Sequence, residues 1–147
     1  MTHETSHPSG WLPAKGYANG MLTKDGTLHI GGQIGWDENK QIVEGGFIPQ
    51  MSQALRNIAA IVETAGGQIS DVTRLTWFVT NKAEYVAHQA EVGRAYRDVF
   101  GKHFPAMSMI IVSSSSNLRI DSFLLPGSLK GLMFVSTYTA IMTSSLS

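Results

Sequence analysis

His3, Glu4 and His7 in "HETSH" match the H-E-x-x-H spacing of a helical zinc site. That chemistry needs two imidazoles one turn apart on a stable helix, with a third ligand downstream. Pro8 and Gly10 follow at once and no apolar face accompanies the motif, so it reads as a mobile terminus and no metal is expected. A second candidate is "TLHIGGQIGWDENKQIVEGG", Thr27 to Gly46, which opens as a strand and then places Gly31, Gly32 and Gln33 where alternation should continue. Glycine weakens a strand interior because it loses the most backbone entropy and packs nothing. Bare backbone here serves one of two ends. Either a neighbouring segment crosses very close, or a small ligand reaches main-chain amides able to hold a carboxylate or a developing oxyanion. A phosphate loop is excluded, because the Lys-Ser/Thr of that motif is missing and G-x-G-x-x-G does not occur. His29, His88 and His103 have no acid or nucleophile at a matched spacing and read as surface or satisfied interior positions. Arg56, Arg74, Arg94 and Arg97 are scattered without an aromatic stripe, which argues against a nucleic-acid face.

The elements that must carry these residues fit one domain of 147 residues, large enough to bury a core without staples. Eleven basic residues balance eleven acidic ones, so no global field favours nucleic acid or a membrane surface. Charged residues make up only 15%, which hints at surface covered by a partner subunit. The chain has no cysteine, so disulfides and thiolate chemistry are excluded. "MTHETSHPSG" has no apolar stretch of a secretory signal, and the expected compartment is the cytoplasm. The apolar run at Gly131–Met142 is too short to span a bilayer, leaving a strand-like addition or an unpaired tail.

Residues 1–16 read as a loose segment, 17–126 as the folded domain and 127–147 as a C-terminal tail. "YANGML" is a short strand, and "KDG" at 24–26 turns into a second from Thr27 to Gly35. Met51, Leu55, Ile58, Val62 and Ala65 recur at spacings of four and three, predicting a helix that Gly66-Gly67 ends. "VTRLTWFVTN" is a strand with Leu75, Trp77 and Val79 on one face. A second helix is predicted from Lys82 to Phe100, with Tyr85, Val92, Tyr96 and Phe100 on its buried side. "MSMIIV" and "LRIDSFLL" follow as strands. The fold class is α/β (α+β): one mixed sheet with both helices on one face. The opposite face, carrying Ile30, Trp77 or their neighbours, would need another cover, and a further copy of the chain is the natural one.

Taken in order, "GYANGML", "LHIGGQIGWDENKQIVEGG", "QMSQALRNIAAIVETAGG", "ISDVTRLTWFVTN", "AYRDVF" and "FPAMSMIIV" resemble the RidA (YjgF) family, also called the L-PSP endoribonuclease family. The resemblance covers about residues 16–112. It implies a chorismate-mutase-like trimeric barrel with clefts between subunits, and hydrolysis of reactive enamines and imines to keto acids and ammonia without a cofactor.

Site residues carry over from the resemblance with several departures. Tyr17 matches a catalytic first-strand tyrosine. Gly31 stands in place of the serine of a Ser-Gly-Gln, and Gly32 and Gln33 match the rest, as substrate-binding positions. Gly93 replaces a helix asparagine. Pro105-Ala106-Met107 replaces the Pro-Ala-Arg that anchors a substrate carboxylate, with Ser108 beside it. A guanidinium grips a carboxylate with two charge-assisted hydrogen bonds, and a thioether does not. Arg119 is the candidate replacement anchor and Asp121 the candidate for positioning water, on one face of the closing strand by period-two alternation. The expected function is therefore an imine or enamine deaminase acting on a small metabolite. The alternatives are a deaminase of an unsaturated amino acid such as 2-aminomuconate, a non-catalytic metabolite-binding or chaperone-like trimer, and, most weakly, an endoribonuclease.

Overall fold

The computed structural model describes residues 3–111 and, beyond them, strand backbone at 119–120, 123–124, 133–136 and 140–141. Strands β1 (His3–Ser6), β2 (Gly20–Thr23) and β3 (Thr27–Ile30) form an antiparallel meander, and β9 (Ala140–Ile141) adds to β3. Strand β4 (Arg74–Val79) pairs in parallel with β5 (Ala106–Ile111) and antiparallel with β8 (Met133–Ser136). The closing stretch thus lends one strand to each group, and the apolar run in the tail is the strand-like addition.

The turn between β2 and β3 is closed by side-chain chemistry. Asp25 accepts from the Thr23 hydroxyl at 2.5 Å and from the Thr27 amide at 3.0 Å. These hydrogen bonds hold its carboxyl below the ordinary carboxylate value.

Helix α1 (Phe47–Thr64) realises the predicted stripe: Met51, Leu55, Ile58 and Val62 are fully buried against Leu28, Leu75 and Val79. It ends where Gly66 takes φ +91°, a left-handed conformation that other residues rarely adopt. The helix is seated unusually close to the strands. A β-carbon at Gly20 would stand 2.7 Å from Ile61 Cγ2, and one at Gly35 only 2.6 Å from Gln50 Cα. Buried Asn57 reaches the other way, donating to the carbonyls of Ile34 at 3.2 Å and Trp36 at 2.9 Å, and accepting from Gln53 at 2.9 Å. The loop after β3 is thereby fastened to the helix.

The structure changes several expectations. Residues 3–6 are not loose. They form an edge strand, and Ser6, buried at its inner end, donates to the Ile61 carbonyl at 2.7 Å. A polar strand with a single buried residue leaves no alternation to read. The H-E-x-x-H match is therefore not helical, and His7 instead contacts the Trp11 carbonyl and Asn19.

The second predicted helix is two. α2 (Lys82–Ala87), capped by Asn81, stops at His88, whose backbone leaves the helical region and whose ring donates to the Glu84 carbonyl at 2.8 Å. α3 (Gln89–Phe100) then begins afresh and packs on α1. Among the described residues, "LRIDSFLL" does not close the main sheet: β6 (Arg119–Ile120) and β7 (Phe123–Leu124) pair with each other. Ile30 and Trp77 belong to the helix-facing core, while Phe78 and its neighbour Ile110 point the other way.

The Gly35 contact is with helix backbone, which cannot yield. Gly35→Ala should destabilise the protein by about 1–3 kcal/mol, as overpacking does. A urea titration followed by tryptophan fluorescence would register this as a lower midpoint at an unchanged slope.

Candidate functional site

The glycine stretch resolves in favour of a close crossing. Gly31 donates its amide to the Asn19 carbonyl at 2.8 Å, and a β-carbon there would stand 3.1 Å from the Ala18 carbonyl oxygen. Its amide is thus engaged within the fold. Gln33 is 1% exposed and its side-chain amide is fully used. It donates to Asn19 Oδ1 and to the Gly31 carbonyl, both at 3.3 Å, and accepts from the Trp36 indole at 3.3 Å. In this structure Gln33 brackets the two loops. Gly32 lies half-buried between them.

Tyr17 stacks on Trp36 with ring centroids 6.3 Å apart, and Lys40 Nζ stands 5.5 Å from the centre of the same ring. Tyr17 also lines a hollow of about 370 Å³ with His7, Trp11 and Asn19.

A different and more apolar pocket, of about 450 Å³, opens where α3 meets the edge strand β5. That volume suits a small ligand. Trp77, Tyr85, Tyr96, Phe104 and Met107 form most of its wall, with Ser108 at the side. Strand register explains the placement: Met107 and Met109 pair with Leu75 and Trp77, so they share the helix-facing side of the sheet. Tyr96 is the centre of the aromatic set, 6.0 Å from Trp77 and stacked 5.5 Å from Phe104. Its hydroxyl donates to the His103 carbonyl at 2.5 Å, and the His103 ring donates to the Val72 carbonyl at 2.7 Å. This relay fixes the chain at the start of β5. Burial pushes the Tyr96 phenol up to about 12, because ionisation would strand a charge in an apolar setting.

Gly93 and Arg97, one helical turn apart on α3, complete the pocket. A β-carbon at 93 would lie 3.2 Å from Arg97 Nη1 and 3.9 Å from its Cζ, so the guanidinium rests over the bare glycine. In the sequence Arg97 is one of several scattered cations, and the feature that sets it apart is its i, i+4 relation to Gly93.

The expected site residues therefore fall into separate groups. Tyr17, Gly31, Gly32 and Gln33 cluster around β2 and β3, whereas Met107 and Ser108 line the pocket on β5, in the other strand group. The two hollows share no residue. Arg119 is described only as backbone of β6, outside the main strand groups, which corrects its placement on the closing strand; Asp121 lies outside the described residues. Among the described residues, no three His, Asp or Glu side chains gather as a metal site. No helix there is long and apolar enough to cross a membrane.

Helices α1 and α3 packed against the strand groups, with a pocket where α3 meets β5, define an α/β fold with room for a small ligand. Residues 9–120 match the endoribonuclease L-PSP family, and the chain belongs to that family, the RidA family of the sequence analysis. A human protein named 2-iminobutanoate/2-iminopropanoate deaminase is 29% identical over 117 residues, covering 77% of this chain and 82% of the human one. A goat protein of the same name is 31% identical over 99 residues, covering 67% and 69%. The crystal structure of a Rid-family protein from Yersinia pestis superposes with a TM-score of 0.66 at 25% identity, covering 92% of this chain and 98% of that one.

Tyr96→Phe removes the hydrogen bond to His103 and should cost about 1 kcal/mol at neutral pH. The sign of the pH effect follows from the raised phenol. Its contribution is whole below the ordinary value of 10.0 and is lost as pH rises through about 12. Denaturation midpoints across that window should fall more steeply for the native chain than for the phenylalanine variant.

Proposed function

We propose that this protein is an imine deaminase, which hydrolyses a small reactive 2-imino acid or its enamine tautomer to a 2-oxo acid and ammonia. Water adds to the electrophilic carbon of C=N, the nitrogen takes the proton, and the carbon–nitrogen bond of the resulting carbinolamine breaks to leave the carbonyl and ammonia. Imines hydrolyse readily in water, so the protein has only to position and modestly polarise the substrate. No metal, cofactor or covalent nucleophile is required by this reading. The single observation that carries it is the pocket on β5. Gly93, Met107 and Ser108 line it, three of the positions that the family resemblance assigns to the site, whereas Tyr17 and Gly31–Gln33 lie elsewhere.

The active unit in this reading is a cytoplasmic homotrimer. Its support is the edge strand β5, where all six residues are exposed and Met107, Met109, Ile110 and Ile111 stand open at 43%, 38%, 44% and 48%. An apolar edge with no strand beyond it among the described residues invites another chain.

Two measurements test the reading. The chain should release ammonia from freshly generated 2-aminoacrylate well above the spontaneous rate, and a rate equal to the spontaneous one sinks the deaminase. Light scattering should give about three times the 16.0 kDa chain mass, falling toward the monomer in Ile110→Glu. Met107 and Gly93, standing where the family has arginine and asparagine, favour one second reading, a metabolite-binding trimer without turnover. Thermal shifts with 2-oxo acids in the absence of ammonia release would select it.

A further inference from the structure

With methionine at 107, the pocket on β5 has lost the cation that would hold a substrate carboxylate, yet it is not without one. Arg97 lines the same wall from α3, and Gly93 beneath it leaves room for the guanidinium to lie along the helix surface toward the cavity. Glycine inside a helix is unfavourable relative to alanine, by about 1 kcal/mol. Its presence at 93, in the middle of the twelve-residue α3, thus has a spatial reason. A β-carbon there would stand 3.2 Å from the guanidinium, which would have to shift by a few tenths of an ångström to admit it. Among the described residues, no hydrogen bond or ion pair engages the Arg97 guanidinium. The remaining wall is aromatic and thioether: Trp77, Tyr85, Tyr96, Phe104, Met107 and Met109. Such a wall solvates a large apolar group better than a methyl or ethyl.

We infer that Arg97 is the carboxylate-binding residue of this pocket, and that the pocket selects 2-imino acids carrying a bulky apolar or aromatic side chain. The inference rests on the deaminase reading for the word "imino"; the binding of a carboxylate with an apolar body stands apart from it. In this arrangement the fork of the guanidinium takes the two carboxylate oxygens. The side chain of the ligand enters between Phe104 and Tyr85. Replacing the anchoring arginine by methionine on the strand then enlarges the apolar wall, while the positive charge is supplied from the helix.

Calorimetric titration of the intact protein with phenylpyruvate and with 2-oxobutanoate, both stable product-like probes, tests this directly. Phenylpyruvate should bind more tightly than 2-oxobutanoate. Arg97→Gln should weaken phenylpyruvate by about tenfold to a hundredfold, the range of a charge-assisted pair. Arg97→Lys should recover part of the loss. Arg94→Gln, which removes an exposed cation outside the pocket, should bind like the native chain, and the uncharged methyl ester of phenylpyruvate should bind native and Arg97→Gln proteins equally. Unchanged affinity in Arg97→Gln overturns the assignment, as does an equal loss in Arg94→Gln or a preference for 2-oxobutanoate. Ammonia release is then measured on imines made in situ by an amino-acid oxidase from phenylalanine and from 2-aminobutyrate. If phenylpyruvate binding depends on Arg97 but neither imine is turned over, the pocket assignment stands and the deaminase fails. If both imines are turned over at rates indifferent to Arg97, the deaminase stands and Arg97 is removed from it.

Discussion

Helix α1 approaches the strands so closely that no side chain fits between them at two points, and the rest of the molecule is arranged around that seat. Gly20 faces Ile61 and Gly35 faces Gln50 at distances that a β-carbon would violate. Close packing of this kind is favourable because protein interiors gain from dense contact, and unforgiving because there is no slack to absorb an added atom. Buried Asn57 works from the same helix in the opposite sense, reaching out to the backbone carbonyls of Ile34 and Trp36. The Ile34 carbonyl also accepts from the Trp36 amide at 2.8 Å, and Asn57 adds a second donor there and one for Trp36. One helix therefore both presses on the strands and supplies hydrogen bonds to the loop that follows β3.

The pocket depends on that seat at one remove. α1 supports α3, and α3 presents Tyr96, Gly93 and Arg97 toward the edge of the sheet. From below, the parallel pairing of β4 with β5 sets Met107 and Met109 on the same side as Leu75 and Trp77. The relay from Tyr96 through His103 to Val72 then holds β5 at its first residues. The chemistry of the pocket is thus built on two regular elements and a clamped connection, which suits a site that must orient a ligand.

Much of this was legible in the chain itself. The stripe from Met51 to Val62, the face shared by Leu75, Trp77 and Val79 and the stop at Gly66 each follow from periodicity and local sterics, and they reappear in the fold. Other features depend on partners distant in sequence. Nothing within residues 82–100 marks a break at His88, because both pieces keep a helical pattern; the ring's bond to the Glu84 carbonyl decides it. The glycines at 31 and 32 posed a real alternative. Only the position of Asn19 shows that Gly31 serves a crossing strand. Gln33 looked like a ligand group because its polarity is visible, whereas its three partners are not. Arg97 gained meaning only when Gly93 and Met107 were seen on one wall.

The strand at the very start of the chain bears on how the protein withstands proteolysis. His3–Ser6 covers the outer border of the meander, and its last residue occupies the carbonyl of Ile61. Clipping before Gly10 would move the open border of the meander from β1 to β2, and would leave the Ile61 carbonyl with the Ala65 amide as its remaining donor. The newly bared edge of β2 would then be a template on which another chain could add a strand.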